Sequence, residues 1–333
     1  MKTSSVAARL LPAAAVSAVL AISFFSSASG FLGSLSGYGY GTDSCASSLS
    51  DSPLLGDFNG DGKTDLAITG KFDACVTQSS GSRFAMTFDH WFPGPFYGSV
   101  GTFAGDVNGD GKTDLVAVNG GSTWVMTSTG TQFTSPAVWS STAFFGSVAT
   151  FIGDVNGDGK ADLIAVNPTS VWVMLSTGTA FGSPQNWSST AFFGNVTTLV
   201  GDVTGDGKAD LVAVNFTSSW VLPSTGAAFG SPQLWSSTPF YGNKATLVGD
   251  INGDGKADLV ALNFTSTWML ASTGTAFAAP LDLTNTPFYG TVTTMVGDVT
   301  GDGKKDLVAV NGGSVWVDPS TGSALSGPQQ WYP

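Results

Sequence analysis

No glutamate occurs anywhere in this chain, there is a single histidine, and only 11% of the residues are charged. The missing glutamate excludes an EF-hand, whose loop needs flanking helices and a bidentate Glu at its twelfth position. The lone histidine, His90, gives a Ser–His–Asp triad little to stand on. Its neighbour Asp89 shares a strand with it, and adjacent strand residues point to opposite faces. Asp43, Asp51, Asp73, Asp89, Asp282 and Asp318 belong to no repeated motif and show no pairing for acid–base work. No enzyme is expected. With 12 Lys and Arg against 24 acidic residues there is no basic patch, so nucleic acid is disfavoured as a partner.

The chain begins as an exported protein does. Lys2 and Arg9 make a basic start, Leu10 to Phe25 is apolar but short, and Ser26-Ser27-Ala28 offers small residues for cleavage. Residues 1–28 are therefore expected to be a signal peptide and the mature protein to be secreted. No later stretch is long and apolar enough to span a membrane. Residues 29–45 form a Gly/Ser-rich segment that ends at Cys45. The only other cysteine is Cys75, and two cysteines in an exported chain predict one disulfide, Cys45–Cys75.

Present in quantity is aspartate in a fixed pattern. Gly153-Asp154-Val155-Asn156-Gly157-Asp158-Gly159-Lys160-Ala161-Asp162 puts oxygen side chains at alternate positions around a glycine-rich turn. That is the hard-oxygen donor set of a calcium loop. The pattern occurs six times, its first aspartates separated by 49, 48, 48, 48 and 48 residues. The predicted donors of the first loop are Asp57, Asn59, Asp61, the carbonyl of Lys63, and Asp65. The second has Asp106, Asn108, Asp110, Lys112 and Asp114. The third has Asp154, Asn156, Asp158, Lys160 and Asp162. The fourth, with a hydroxyl for the amide, has Asp202, Thr204, Asp206, Lys208 and Asp210. The fifth has Asp250, Asn252, Asp254, Lys256 and Asp258, and the sixth Asp298, Thr300, Asp302, Lys304 and Asp306. About six Ca2+ ions per chain are expected, since three carboxylates in one turn repel each other without a cation.

A period near 48 residues means a solenoid, propeller or array. Within residues 146–193 the pattern gives four short strands: Val148 to Gly153 into the metal loop, Ala161 to Val166 out of it, Val171 to Leu175, and Gln185 to Ser188. The strands are apolar on both faces, as blades sandwiched between neighbours require. The predicted fold is all-β: a six-bladed β-propeller over residues 46–333, with four antiparallel strands per blade. Strand directions put the metal loops on one face. The turns after the second strands and the linkers carrying Phe144-Phe145, Phe192-Phe193, Phe240-Tyr241 and Phe288-Tyr289 fall on the other.

The tryptophans make two series. Trp124, Trp172, Trp220, Trp268 and Trp316 sit in third strands and are expected in the core between blades. Trp91, Trp139, Trp187, Trp235 and Trp331 sit in the outer, more polar fourth strands, where core packing and sugar stacking are both open. A ligand site is expected on the face away from the metal loops, near Trp139, Trp187 and Trp235.

Phe145-Gly146 followed by the loop from Gly153 to Leu163 resembles the FG-GAP repeat and the related bacterial VCBS-type repeat. These build the propellers of integrin α-chains and of some fungal lectins, and members hold calcium in this loop. The resemblance covers all six units. Ala165-Val166-Asn167 stands where the Gly-Ala-Pro part would be, and six motifs stand where integrins have seven blades. The resemblance implies a calcium-binding module for glycans or cell-surface and wall components. The alternative is an adhesion module that binds protein. The sequence leaves the oligomeric state open.

Overall fold

The computed structural model describes Leu49 and residues 52–333. The expected signal peptide, the 29–45 segment and Cys45 lie outside the described residues. Six four-stranded antiparallel sheets follow one another, each with its strands in sequence order. Blades one to six run over residues 53–92, 101–140, 149–188, 197–236, 245–284 and 293–332. In blade three the strands are Ala149–Gly153, Asp162–Asn167, Ser170–Met174 and Gln185–Ser188. These bounds fall within a residue or two of those expected. Among the described residues no helix is long and apolar enough to cross a membrane.

The second strand shows why both its faces are apolar. Ile164 and Val166 pack with Leu211, Ala213 and Phe229 of blade four. Leu163 and Ala165 alternate with them and pack with Val116, Val118 and Trp139 of blade two. The two-residue period of a strand thus serves two interfaces at once. The last interface closes the circle: Leu66, Ile68 and Phe84 of blade one share a cluster with Val308, Val310 and Trp331 of blade six.

Three sets of hydrogen bonds run round the ring, each repeating at all six interfaces. The residue before each buried loop aspartate donates its N–H to the first aspartate carbonyl of the preceding blade. Ala209 N reaches Asp154 O at 2.7 Å, and Thr64 N reaches Asp298 O at 2.7 Å across the closure. A serine hydroxyl donates to the next carbonyl along, as Ser128 Oγ does to Phe58 O and Ser79 Oγ to Val299 O, both at 2.6 Å. The backbone N–H of the loop between third and fourth strands donates to a fourth-strand carbonyl of the preceding blade. Phe229 N to Trp187 O is 2.9 Å and Phe84 N to Trp331 O is 3.2 Å. Closure therefore uses the same contacts as every other interface.

The linkers between blades are fixed by close approach. A Cβ on Gly146 would lie 2.0 Å from the Ala149 carbonyl and 2.3 Å from the Val166 carbonyl. Only glycine fits there, which gives Phe145-Gly146 its physical reason.

Candidate functional site: aspartate loops on one face, aromatic clefts on the other

Each aspartate loop is wound on its first carboxylate. In blade three Asp154 Oδ1 accepts from Gly157 N at 2.7 Å and Asp158 N at 3.2 Å, and Oδ2 accepts from Gly159 N at 2.8 Å. Gly157 and Gly159 take φ of 77° and 82°, conformations that L side chains rarely adopt. Asn156 Oδ1 accepts from Asp158 N at 2.8 Å. The last aspartate, Asp162, is fully buried. Its Oδ1 accepts from Ser176 N at 2.7 Å and its Oδ2 from Val155 N at 3.2 Å.

Burial pushes the carboxyls of Asp65, Asp114 and Asp162 up to about 7, against hydrogen bonds from serine backbone N–H groups that pull the other way. Burial likewise raises Asp210, Asp258 and Asp306 to about 6. In blade three the second carboxylate behaves oppositely. Partial burial pushes Asp158 up, but hydrogen bonds and charge from Lys160 outweigh it and hold the group below the usual range. In all six loops a lysine Nζ lies 2.7 to 3.1 Å from this carboxylate.

Every loop therefore gathers carboxylates, an amide or hydroxyl oxygen, and a lysine carbonyl on one short turn, which fits a hard cation in kind. Away from the loops, the ligand atoms of Asp73, Cys75 and His90 lie within 4.8 Å of one another. Asp73 Oδ2 lies 3.2 Å from His90 Nδ1, so Asp73 and not Asp89 is the carboxylate that meets the lone histidine. Cys75 is not a free thiol, which removes its sulfur as a metal ligand or nucleophile there.

The opposite face holds the aromatic clefts, and here one expectation is corrected. Trp139, Trp187 and Trp235 are buried, at 7%, 3% and 4% exposure. Each packs on a phenylalanine of the next blade: Trp139 on Phe181 at 5.6 Å, Trp187 on Phe229 at 5.6 Å, Trp235 on Phe277 at 5.1 Å between ring centroids. The cause is a bulge. Val171 pairs with Ser188 but Trp172 pairs with Asn186, so Trp187 is the extra residue on the fourth strand. The bulge re-aims its side chain into the interface. The same shift occurs in every blade.

The other tryptophan series, expected in the core, is the one that reaches the surface. Trp124 and Trp316 are exposed, while Trp172, Trp220 and Trp268 are half-buried. Small Ala165 lies opposite Trp172 in the register. A turn serine orients the indole: Trp172 Nε1 donates to Ser170 Oγ at 3.1 Å, and Trp124, Trp220 and Trp268 do the same with Ser122, Ser218 and Ser266. Trp172 lines a cleft of about 180 Å³ with Ala143, Phe144, Phe145, Ala165, Asn167 and Pro184. The equivalent cleft of blade six, about 310 Å³, is lined by Pro287, Phe288, Tyr289, Ala309, Asn311, Trp316 and Pro328.

The same residue types recur in blades two, four and five. Phe96, Tyr97, Asn119, Trp124 and Pro136 are one set. Phe192, Phe193, Asn215, Trp220 and Pro232 are the next, and Phe240, Tyr241, Asn263, Trp268 and Pro280 the last. Blade one differs, with Gly70 and Cys75 at the Asn and Trp positions. Asn167 Oδ1 accepts from Ser147 N at 3.0 Å, and Asn119 and Asn215 hold their linkers likewise. With Oδ1 engaged, the Asn167 Nδ2 group is the donor that a ligand oxygen can meet.

The FG-GAP-like repeat pattern matches at residues 57–117, 106–165, 154–213, 202–261 and 250–309. The chain belongs to the FG-GAP-like repeat family. No curated protein matches it. Among solved structures, this FG-GAP-like chain is similar to an Agrocybe aegerita lectin described for its specific recognition of non-reducing terminal N-acetylglucosamine. That likeness has a TM-score of 0.61 at 19% identity, over 84% of this chain and 79% of the lectin. A second likeness is to the Tc holotoxin pore of Photorhabdus luminescens, with a TM-score of 0.59 at 20% identity, over 84% of this chain but 14% of the toxin chain. At these identities the likeness is one of fold.

Proposed function

We propose that this FG-GAP-like propeller is a secreted glycan-binding module, with calcium in its six loops as a structural ion and the Trp172-type clefts as its sugar sites. The observation that carries the reading is a small cleft in blades three and six whose lining residue types recur in blades two, four and five. Each sets an aromatic wall beside an asparagine amide. Sugars present an apolar C–H face and a rim of hydroxyls, and such a cleft meets both. Volumes of about 180 and 310 Å³ lie below or at the lower end of the ~300–1,000 Å³ of typical small-molecule pockets, which suits a sugar ring better than a large ligand. Weak sites held at fixed spacing gain avidity on a multivalent surface. The lectin neighbour supports the same reading.

The aspartate loops fit calcium by donor chemistry. The carbonyls of Asp154 and Val155 are also the acceptors for blade four, so an ion that fixes the loop fixes the blade interface. Cys45–Cys75 would pin the N-terminal segment to blade one, contributing roughly 3–4 kcal/mol by loop closure. A glycan array probed with calcium-loaded protein is expected to give binding that is lost on chelation. Retention of no glycan by folded, calcium-loaded protein would remove the lectin reading and favour a protein partner.

A further inference from the structure

One aromatic pair on the cleft face already carries an ammonium. Lys244 Nζ stands 4.4 Å from the centre of the Phe264 ring and 4.1 Å from that of Tyr289. Phe264 lies in the turn between second and third strands of blade five, and Tyr289 in the linker to blade six. Their rings are 6.3 Å apart at 88°. Blade four repeats the pair. Phe216 and Tyr241 stand 5.9 Å apart at 74°. The backbone is held the same way: Phe216 N donates to Asn195 Oδ1 and Phe264 N to Asn243 Oδ1, both at 3.0 Å. The difference is the cation. The position of Lys244 is Val196 in blade four, a side chain that lacks the Cδ, Cε and Nζ atoms. Phe216 and Tyr241 are both exposed.

We propose that Phe216 and Tyr241 form a binding site for an alkylammonium group of an external ligand, in the place that Lys244 fills in the next blade. An ammonium over two ring faces is attracted by both quadrupoles. The lysine in blade five shows that the ring pair accepts an ammonium without rearranging the fold. This inference goes beyond the glycan reading and does not depend on it.

The test is a tetramethylammonium titration, read by NMR on protein labelled at Phe and Tyr rings. Saturable shifts are expected at Phe216 and Tyr241. Neutral tert-butanol should bind roughly tenfold more weakly, since it lacks the charge–ring attraction. Val196→Lys should abolish the shifts by supplying an internal ammonium at a position where the fold already carries lysine. Lys244→Val should add a second set at Phe264 and Tyr289. Glucosamine and choline, titrated in parallel, distinguish an amino-sugar source of the ammonium from a choline source. Equal binding of tert-butanol, or unchanged shifts in Val196→Lys, or no second set in Lys244→Val, would overturn the proposal. Glycan binding by the unmodified clefts would survive each of these failures.

Discussion

Excess chelator is expected to lower the melting temperature of the calcium-loaded protein by on the order of 15 °C, and added calcium to restore it. Extracellular calcium modules bind at about 10⁻⁴–10⁻³ M. With a dissociation constant of about 0.1 mM and free calcium of about 1 mM, each site stabilises the fold by roughly 1.4 kcal/mol. Six independent sites give on the order of 8 kcal/mol, comparable to the whole stability of a typical domain. A chain this long shifts by ~2 °C per kcal/mol, which sets the size of the effect.

The pH dependence should change sign with the ion. In the ion-free protein, burial raises the last loop carboxyls to about 6 or 7 from an ordinary value of 3.8. Between about pH 4 and pH 7 the folded state therefore holds more protons than the unfolded one. Ion-free protein should gain stability as pH falls through 7 towards 4, by up to ~1.4 kcal/mol per pH unit for each such group. Calcium needs those carboxylates ionised, so the loaded protein should lose stability over the same range. Thermal melts at about pH 7.5 and about pH 5, with and without chelator, read both signs. A melting curve unmoved by chelator would end the idea that these loops hold the ring together.

Trp187→Ala and Trp172→Ala are expected to part company. Trp187 is buried against Phe229 at the interface of blades three and four. Removing it should cost about 3–5 kcal/mol of stability, as large-to-small core changes do. Trp172 is half-buried and lines its cleft. Its replacement should cost well under half as much and weaken glycan retention. Denaturant unfolding and glycan binding of the two variants, measured side by side, check this. Equal destabilisation by both would place Trp172 in the core as well. Retention lost only in folded Trp187→Ala would return the ligand site to the fourth strands.

The ring was legible in the sequence because it is built from one repeated decision. Six loops at fixed spacing, each followed by an apolar run such as Leu163 to Val166, leave few architectures open. The strand limits are set by the same turns. Sequence alternation could not show the bulge beside Trp172. A bulge shifts the register by one residue and exchanges the faces of the residues beyond it. That exchange put Trp187 inside, while Trp172, on the regular third strand opposite Ala165, is half-buried beside the cleft, the reverse of the expectation. One signal was present: Ala165 recurs as Ala117, Ala213, Ala261 and Ala309, each opposite a third-strand tryptophan. A small residue facing a large one leaves room for a cleft.

The loops were legible as chemistry but not as geometry. Alternating oxygens named the donors, and the structure adds that the first and last carboxylates are already held by backbone N–H groups. It also adds that the lysine whose carbonyl is a predicted donor sets its ammonium on the second carboxylate. His90 illustrates the reverse limit. Sequence neighbours could not reveal Asp73 as its partner, because Asp73 enters the third strand of blade one while His90 lies in the fourth.

One cleft, repeated on the face away from the aspartate loops, should bind sugar several times per chain. Native mass spectrometry of the calcium-loaded protein, titrated with the oligosaccharide best retained on the array, measures that number. More than one and up to five oligosaccharides per chain are predicted, one for each blade that carries the complete set of cleft residues. No binding, or a single site whose occupancy is unchanged by Trp172→Ala, Trp220→Ala and Trp268→Ala together, would contradict it.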